Sequence, residues 1–89
     1  MRLKYKFSFI EVGDSINAVP IGDNASDFNA ILTLNDVAAK MLQYISECSS
    51  EEEVYQKLLK DYPNDDKDDI KEKLDDFILQ CKVEGMLED

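Results

Sequence analysis

Histidine is absent from the 89-residue sequence, and cysteine occurs only twice, at Cys48 and Cys81. These scarcities remove most metal and nucleophile chemistry. Structural zinc sites draw on cysteine and histidine, and here two cysteines outside any CxxC pair would have to share the ion with carboxylates. A cysteine nucleophile needs a base to form its thiolate, and the commonest base is missing. Glycine is scarce as well, at three residues, and neither a P-loop nor a dinucleotide-binding glycine fingerprint is present. No apolar run approaches the roughly 20 residues of a membrane span. The N-terminus alternates charge with bulk (Arg2, Leu3, Lys4, Tyr5, Lys6) and lacks the apolar stretch of a signal peptide. The expected setting is a reducing cytoplasm, with both cysteines serving as small buried hydrophobes. No catalytic residue, cofactor, metal or membrane contact is expected.

Positive charge is also in short supply. Ten basic residues face 20 acidic ones, for a formal net charge of −10. The imbalance is uneven: Met1–Leu34 carries four acids and three bases, Asn35–Asp89 16 acids and seven bases. A field of that sign repels phosphate backbones and favours cationic partners. It equally keeps a small protein soluble, and both readings stand at this point.

What the chain does have is apolar content, at 44%, enough for a folded core. Its length suits one domain, residues 1–89. Leu3, Tyr5, Phe7 and Phe9 recur with period two, as in a strand wet on one face. Gly13-Asp14 suits a two-residue type II′ hairpin turn. Ser15–Val19 reads as the returning strand, ended by Pro20. Gly22–Asp27 is loop chemistry. Asn29–Leu34 reads as a third strand, with Leu32 and Leu34 on one face and Ile31 and Thr33 on the other.

The period then changes to that of amphipathic helices. Val37, Ala38, Met41, Leu42 and Ile45 form one apolar face, with Asn35 as N-cap and an end near Cys48. Ser50 and Glu53 form a capping box for a second helix, whose face is Val54, Leu58, Leu59 and Tyr62 and whose end is set by Pro63. Asn64–Asp66 links and caps a third helix carrying Ile70, Leu74, Phe77, Ile78 and Cys81. Gly85 suits its C-terminal cap, with Met86 and Leu87 folding back onto the core. The expected class is α+β: three N-terminal strands followed by three helices, in a winged-helix-like arrangement.

Three local patterns fail on context. Gly13-Asp14-Ser15-Ile16 is similar to the phosphopantetheine site of acyl carrier proteins, but it lies between two strands. Asn64, Asp66 and Asp68 alternate like calcium ligands, yet Asp69 stands at the sixth position, where the turn requires glycine. Asp68/Asp69 and Asp75/Asp76 read as solvated helix surface. A winged helix that bound DNA would need a basic recognition helix. Glu51, Glu52 and Glu53 crowd the start of the second helix, and acids surround Lys67, Lys71, Lys73 and Lys82 on the third. Nucleic acid is not an expected partner. An acidic winged-helix protein-interaction or transcription-regulatory module remains the alternative class.

Leu32-Thr33-Leu34-Asn35 with Ala38 and Ala39 soon after, the break at Ser49-Ser50, the linker Asn64-Asp65-Asp66 and the end Val83-Glu84-Gly85-Met86-Leu87 together resemble the PqqD-like proteins, which are RiPP recognition elements. The resemblance spans about Phe7 to Leu87. It implies a non-enzymatic protein that binds the leader segment of a ribosomally made precursor peptide by strand addition. It further implies delivery to a modifying enzyme, in the PQQ case a radical SAM enzyme. Carried onto this chain, the leader would lie along the third strand and against the third helix. The peptide-binding candidates are Asn29, Ile31 and Thr33 on the strand and Lys71, Leu74, Asp75 and Ile78 on the helix. For Leu74 and Ile78 an ordinary core role stands beside that one, and for Lys71 and Asp75 a surface i,i+4 pair. An exposed edge strand also leaves a homodimer open.

Overall fold

A computed structural model describes residues 2–22 and 31–88. Among these residues the elements are, in order, β1 (Arg2–Leu3), β2 (Lys6–Val12), β3 (Ser15–Ile21), β4 (Leu32–Leu34), α1 (Asp36–Glu47), α2 (Glu51–Asp61), α3 (Lys67–Val83) and β5 (Leu87–Glu88). This is the α+β, strands-then-helices class expected from the sequence. Asn29 and the start of the expected third strand lie outside the described residues.

The hairpin forms where expected. Val12 pairs with Ser15 across Gly13-Asp14, and Gly13 alone in that turn has positive φ, at 60°, as a type II′ turn requires. The order β2-β3-β4 makes an antiparallel sheet with β3 at its centre. Phe9 faces Ala18 and Ile16 faces Leu34, so one face of the sheet gathers Phe7, Phe9, Ile16, Ala18, Leu32 and Leu34.

Two expectations about strands are corrected. The run from Leu3 to Phe9 is not one strand. It breaks at Lys4-Tyr5, and the first piece pairs with the C-terminus, Arg2 opposite Glu88 and Leu3 opposite Leu87. Period two continues across the break, which is why the pattern alone does not reveal it. The returning strand also does not stop at Pro20 but runs to Ile21, with Pro20 opposite Phe7. A two-residue hairpin closes with a hydrogen-bonded pair, and such pairs then alternate along the ladder. Counting from Val12–Ser15 puts the Pro20 nitrogen on the side away from β2, so the missing N–H costs that ladder nothing.

Each helix begins as its sequence dictates. Asn35 Oδ1 accepts from the Ala38 N–H at 2.8 Å, Ser50 Oγ from that of Glu53 at 3.3 Å, and Asp66 Oδ1 from that of Asp68 at 2.8 Å. Glu53 returns its carboxylate to the Ser49 and Ser50 hydroxyls rather than to a backbone N–H. The end of α3 is a Schellman motif. The Met86 N–H donates to the Cys81 carbonyl at 2.9 Å and the Gly85 N–H to that of Lys82 at 3.1 Å, with Gly85 at φ 74°. This reversal carries Leu87 back to β1.

Two apolar clusters result. Met41, Ile45, Val54, Leu58, Ile70, Leu74 and Ile78 form the helical one, with Cys48 at its edge. Ala18, Leu42, Cys81 and Met86 form the other, between sheet and helices, with Phe7, Leu32 and Leu34 against it. Leu3, Phe77 and Leu87 touch both. Both cysteines are buried and unbridged, in the role expected of them. No described helix is long and apolar enough to cross a membrane.

Candidate functional site

β4 is the edge of its sheet among the described residues. The alternation that explains Pro20 also sets what this edge offers. Ile16–Leu34 and Ala18–Leu32 fall at hydrogen-bonded positions, and Asn17–Thr33 falls between them. The backbone N–H and C=O of Thr33 therefore point away from β3, outward along the free edge. Unpaired strand groups of this kind are a template for another strand.

Side chains sort by the pleat. Leu32 and Leu34 are half-buried against the sheet-side cluster, while Thr33 is exposed and Ile31 is 62% exposed. The Thr33 hydroxyl donates to Asn17 Oδ1 at 3.3 Å, which braces β4 against β3 on the outer face. The expected division between inward leucines and outward Ile31 and Thr33 is the arrangement found.

The helical candidates lie in two different environments. Leu74 is wholly buried and Ile78 nearly so, both inside the helical cluster. Lys71 and Asp75 are paired at 3.0 Å, and Lys71 also reaches Glu51 at 3.6 Å and sits 6.0 Å from the ring centroid of Tyr55. Glu51 and Tyr55 belong to α2, so this flank of α3 faces α2. The hydrogen bond that Lys71 donates to Asp75, with Glu51 nearby, pushes the Lys71 ammonium above its ordinary pKa, and Lys71 holds the Asp75 carboxyl below the usual carboxylate value. The structure thus keeps Thr33 on the edge strand with Ile31 just before that strand begins, but places Lys71 and Asp75 on the α2 side of α3.

The opposite flank of α3 carries residues that the sequence reading passed over. A groove of about 440 Å³ is lined by Asn35, Val37, Ala38 and Met41 at the start of α1 and by Lys73, Asp76 and Phe77 of α3. Asn35 directly follows β4, so this groove opens at the end of the free edge. Phe77 joins it to the core, since the ring packs against both clusters. Lys73 is held by Asp69 at 3.0 Å, a contact that raises its pKa, whereas Asp76 makes no ion pair among the described residues. An apolar floor with one uncompensated carboxylate suits a peptide side chain that is apolar or basic.

Comparison with known proteins bears on the family and the fold. A family model described as coenzyme PQQ synthesis protein D (PqqD) matches residues 22–87. No curated protein matches the sequence. A solved structure described as TbiB1 in complex with the TbiA(beta) leader peptide is similar at a TM-score of 0.72 and 16% identity, covering 99% of this chain and 95% of that one. At that identity the likeness establishes the fold, and the bound leader is a property of TbiB1.

Proposed function

This chain belongs to the PqqD family, and from that premise we propose that it is a non-catalytic RiPP recognition element that binds the leader segment of a precursor peptide. The observation that carries the reading is the outward-facing backbone of Thr33 on the free edge of β4. A leader strand would satisfy those groups and give affinity through the main chain. Selectivity would come from alternate side chains: one set against Ile31 and Thr33, the other into the groove of Lys73, Asp76 and Phe77. Leu74 and Ile78 would support α3 from beneath, and Lys71 and Asp75 would fix it to α2. The acidic helical half and the unpaired Asp76 favour a leader with basic residues. We further propose that the whole chain acts as one domain and that the bound peptide is presented to a modifying enzyme, of the radical SAM class.

The test is a titration of isotope-labelled protein with leader peptides encoded beside its gene, followed through backbone amide shifts. Saturable shifts are expected on residues 31–35 and on the Lys73–Phe77 flank of α3. Shifts on the Lys71–Asp75 flank instead would return the site to that edge of the helix. An absence of saturable shifts with every neighbouring precursor would overturn leader binding.

A further inference from the structure

A second cleft, of about 450 Å³, lies beneath the turn end of the β2–β3 hairpin. Phe9 and Ile16 of the hairpin, Ala39 of α1 and Tyr62 at the end of α2 line it with apolar surface, and Glu11 and Asp36 add carboxylates. Phe9 is 38% exposed here, although Ala18, directly opposite it, is wholly buried. The hairpin outruns its helical cover, so one side of the ring is open.

Two carboxylates and one ammonium line this cleft, which leaves it one negative charge in excess. Neither Glu11 nor Asp36 makes an ion pair among the described residues. Lys40, which also lines the cleft, carries its ammonium over the ring of Tyr44, 5.8 Å from the centroid, and forms no ion pair among the described residues. Burial first, and then the charges of Asp61, Asp36 and Asp65, push the Tyr62 phenol above its ordinary pKa, in keeping with a negative potential at this wall.

Aromatic surface beside two free carboxylates complements a planar cation. A guanidinium stacks on aromatic faces and pairs with carboxylates through two parallel hydrogen bonds, whereas an ammonium does only part of this. Position selects the source of the cation. No lining residue belongs to β4 or α3. With neighbouring strands about 4.8 Å apart and β3 and β4 between β2 and the free edge, a peptide on that edge leaves the cleft open.

We propose that this cleft docks an arginine side chain, flanked by apolar residues, on the surface of the peptide-modifying enzyme while the leader occupies β4. The proposal rests on the leader-binding reading above, and it gives the two partners separate sites.

The experiment has two arms. In the first, benzamidine stands in for the guanidinium and is titrated into labelled protein, with benzoate as the anionic control. Saturable shifts on Phe9, Glu11, Ile16 and Ala39 are expected with benzamidine alone, and their loss is expected in the Glu11→Gln/Asp36→Asn double variant. Equal shifts from benzoate, or none from benzamidine, would overturn the cleft's assigned chemistry. In the second arm, the double variant is compared with wild type for affinity to the modifying enzyme encoded beside the gene. A loss of tenfold or more, with an unchanged leader titration, is the expected result, and unchanged enzyme affinity would overturn the docking assignment. If wild-type protein bound benzamidine in the cleft but no leader, the proposed function would fall, and with it the enzyme as occupant.

Discussion

Leu74 and Asp76 stand two residues apart on α3 and do opposite work. Leu74 is wholly buried, so Leu74→Ala should leave a cavity and cost about 2–5 kcal/mol of stability, read as a lower urea midpoint. Asp76 is exposed and makes no ion pair among the described residues, so Asp76→Asn should barely move that midpoint. It should weaken a basic leader, and more so at low ionic strength, where charges are least screened. The apolar stripe through Leu74 and Ile78 was legible in the sequence because burial repeats with the helical period. The flank beside β4 was not, because Lys71–Asp75 and Lys73–Asp76 border that stripe equally well and only tertiary packing distinguishes them. A third residue gives a pH signature. Burial pushes the Cys81 thiol from 9.0 up to about 11. An acid that holds its proton more tightly when folded contributes full stability below its unfolded pKa and loses that contribution as pH rises through the folded one. Stability should therefore fall between about pH 9 and about pH 11, and Cys81→Ala should flatten that part of the profile. Tyr44, raised to about 12 by its hydrogen bond to Asp61, acts in the same alkaline direction in both proteins.

At the scale of elements, the helices were readable and the strands only partly so. Helix limits are written in local chemistry: Asn35, Ser50 and Asp66 cap starts, and Gly85 turns an end. Strand limits depend on distant partners. Nothing near Leu3 announces that it pairs with Leu87, and nothing near Pro20 announces that its nitrogen faces away from β2. The same register makes the edge strand testable. Proline is tolerated where a strand's N–H points away from its neighbour, and Thr33 is such a position. Thr33→Pro should keep the fold, judged by an unchanged amide spectrum away from β4. It should remove one main-chain hydrogen bond to a leader, worth about 0.5–1.5 kcal/mol, or roughly a twofold to thirteenfold loss of affinity. Wild-type affinity in a folded Thr33→Pro variant would show that the leader does not use this edge.

Across the whole molecule, cooperativity depends on the residues that bridge the two clusters. Leu3, Phe77 and Leu87 each touch both, and Leu3 and Leu87 face each other in the β1–β5 ladder. The ion pair that closes this clasp, Arg2 with Glu88 at 2.8 Å, is highly exposed on the arginine side and adds little. Apolar contact is therefore what couples the sheet side to the helices. If the chain is one folding unit, far-ultraviolet circular dichroism and tyrosine fluorescence should report one coincident urea transition. Leu87→Ala should shift that transition to lower urea by about 1–3 kcal/mol, less than a fully buried leucine because the side chain is only half-buried. The two probes should still coincide, because Leu3 and Phe77 continue to bridge the clusters. Loss of the β2–β4 amide signals at lower urea than the helical dichroism and the fluorescence of Tyr44, Tyr55 and Tyr62, which pack on the helical cluster, would mean that the sheet side melts alone. The leader edge would then be the less stable part of the molecule, and bound leader should restore the single transition by binding only the folded edge.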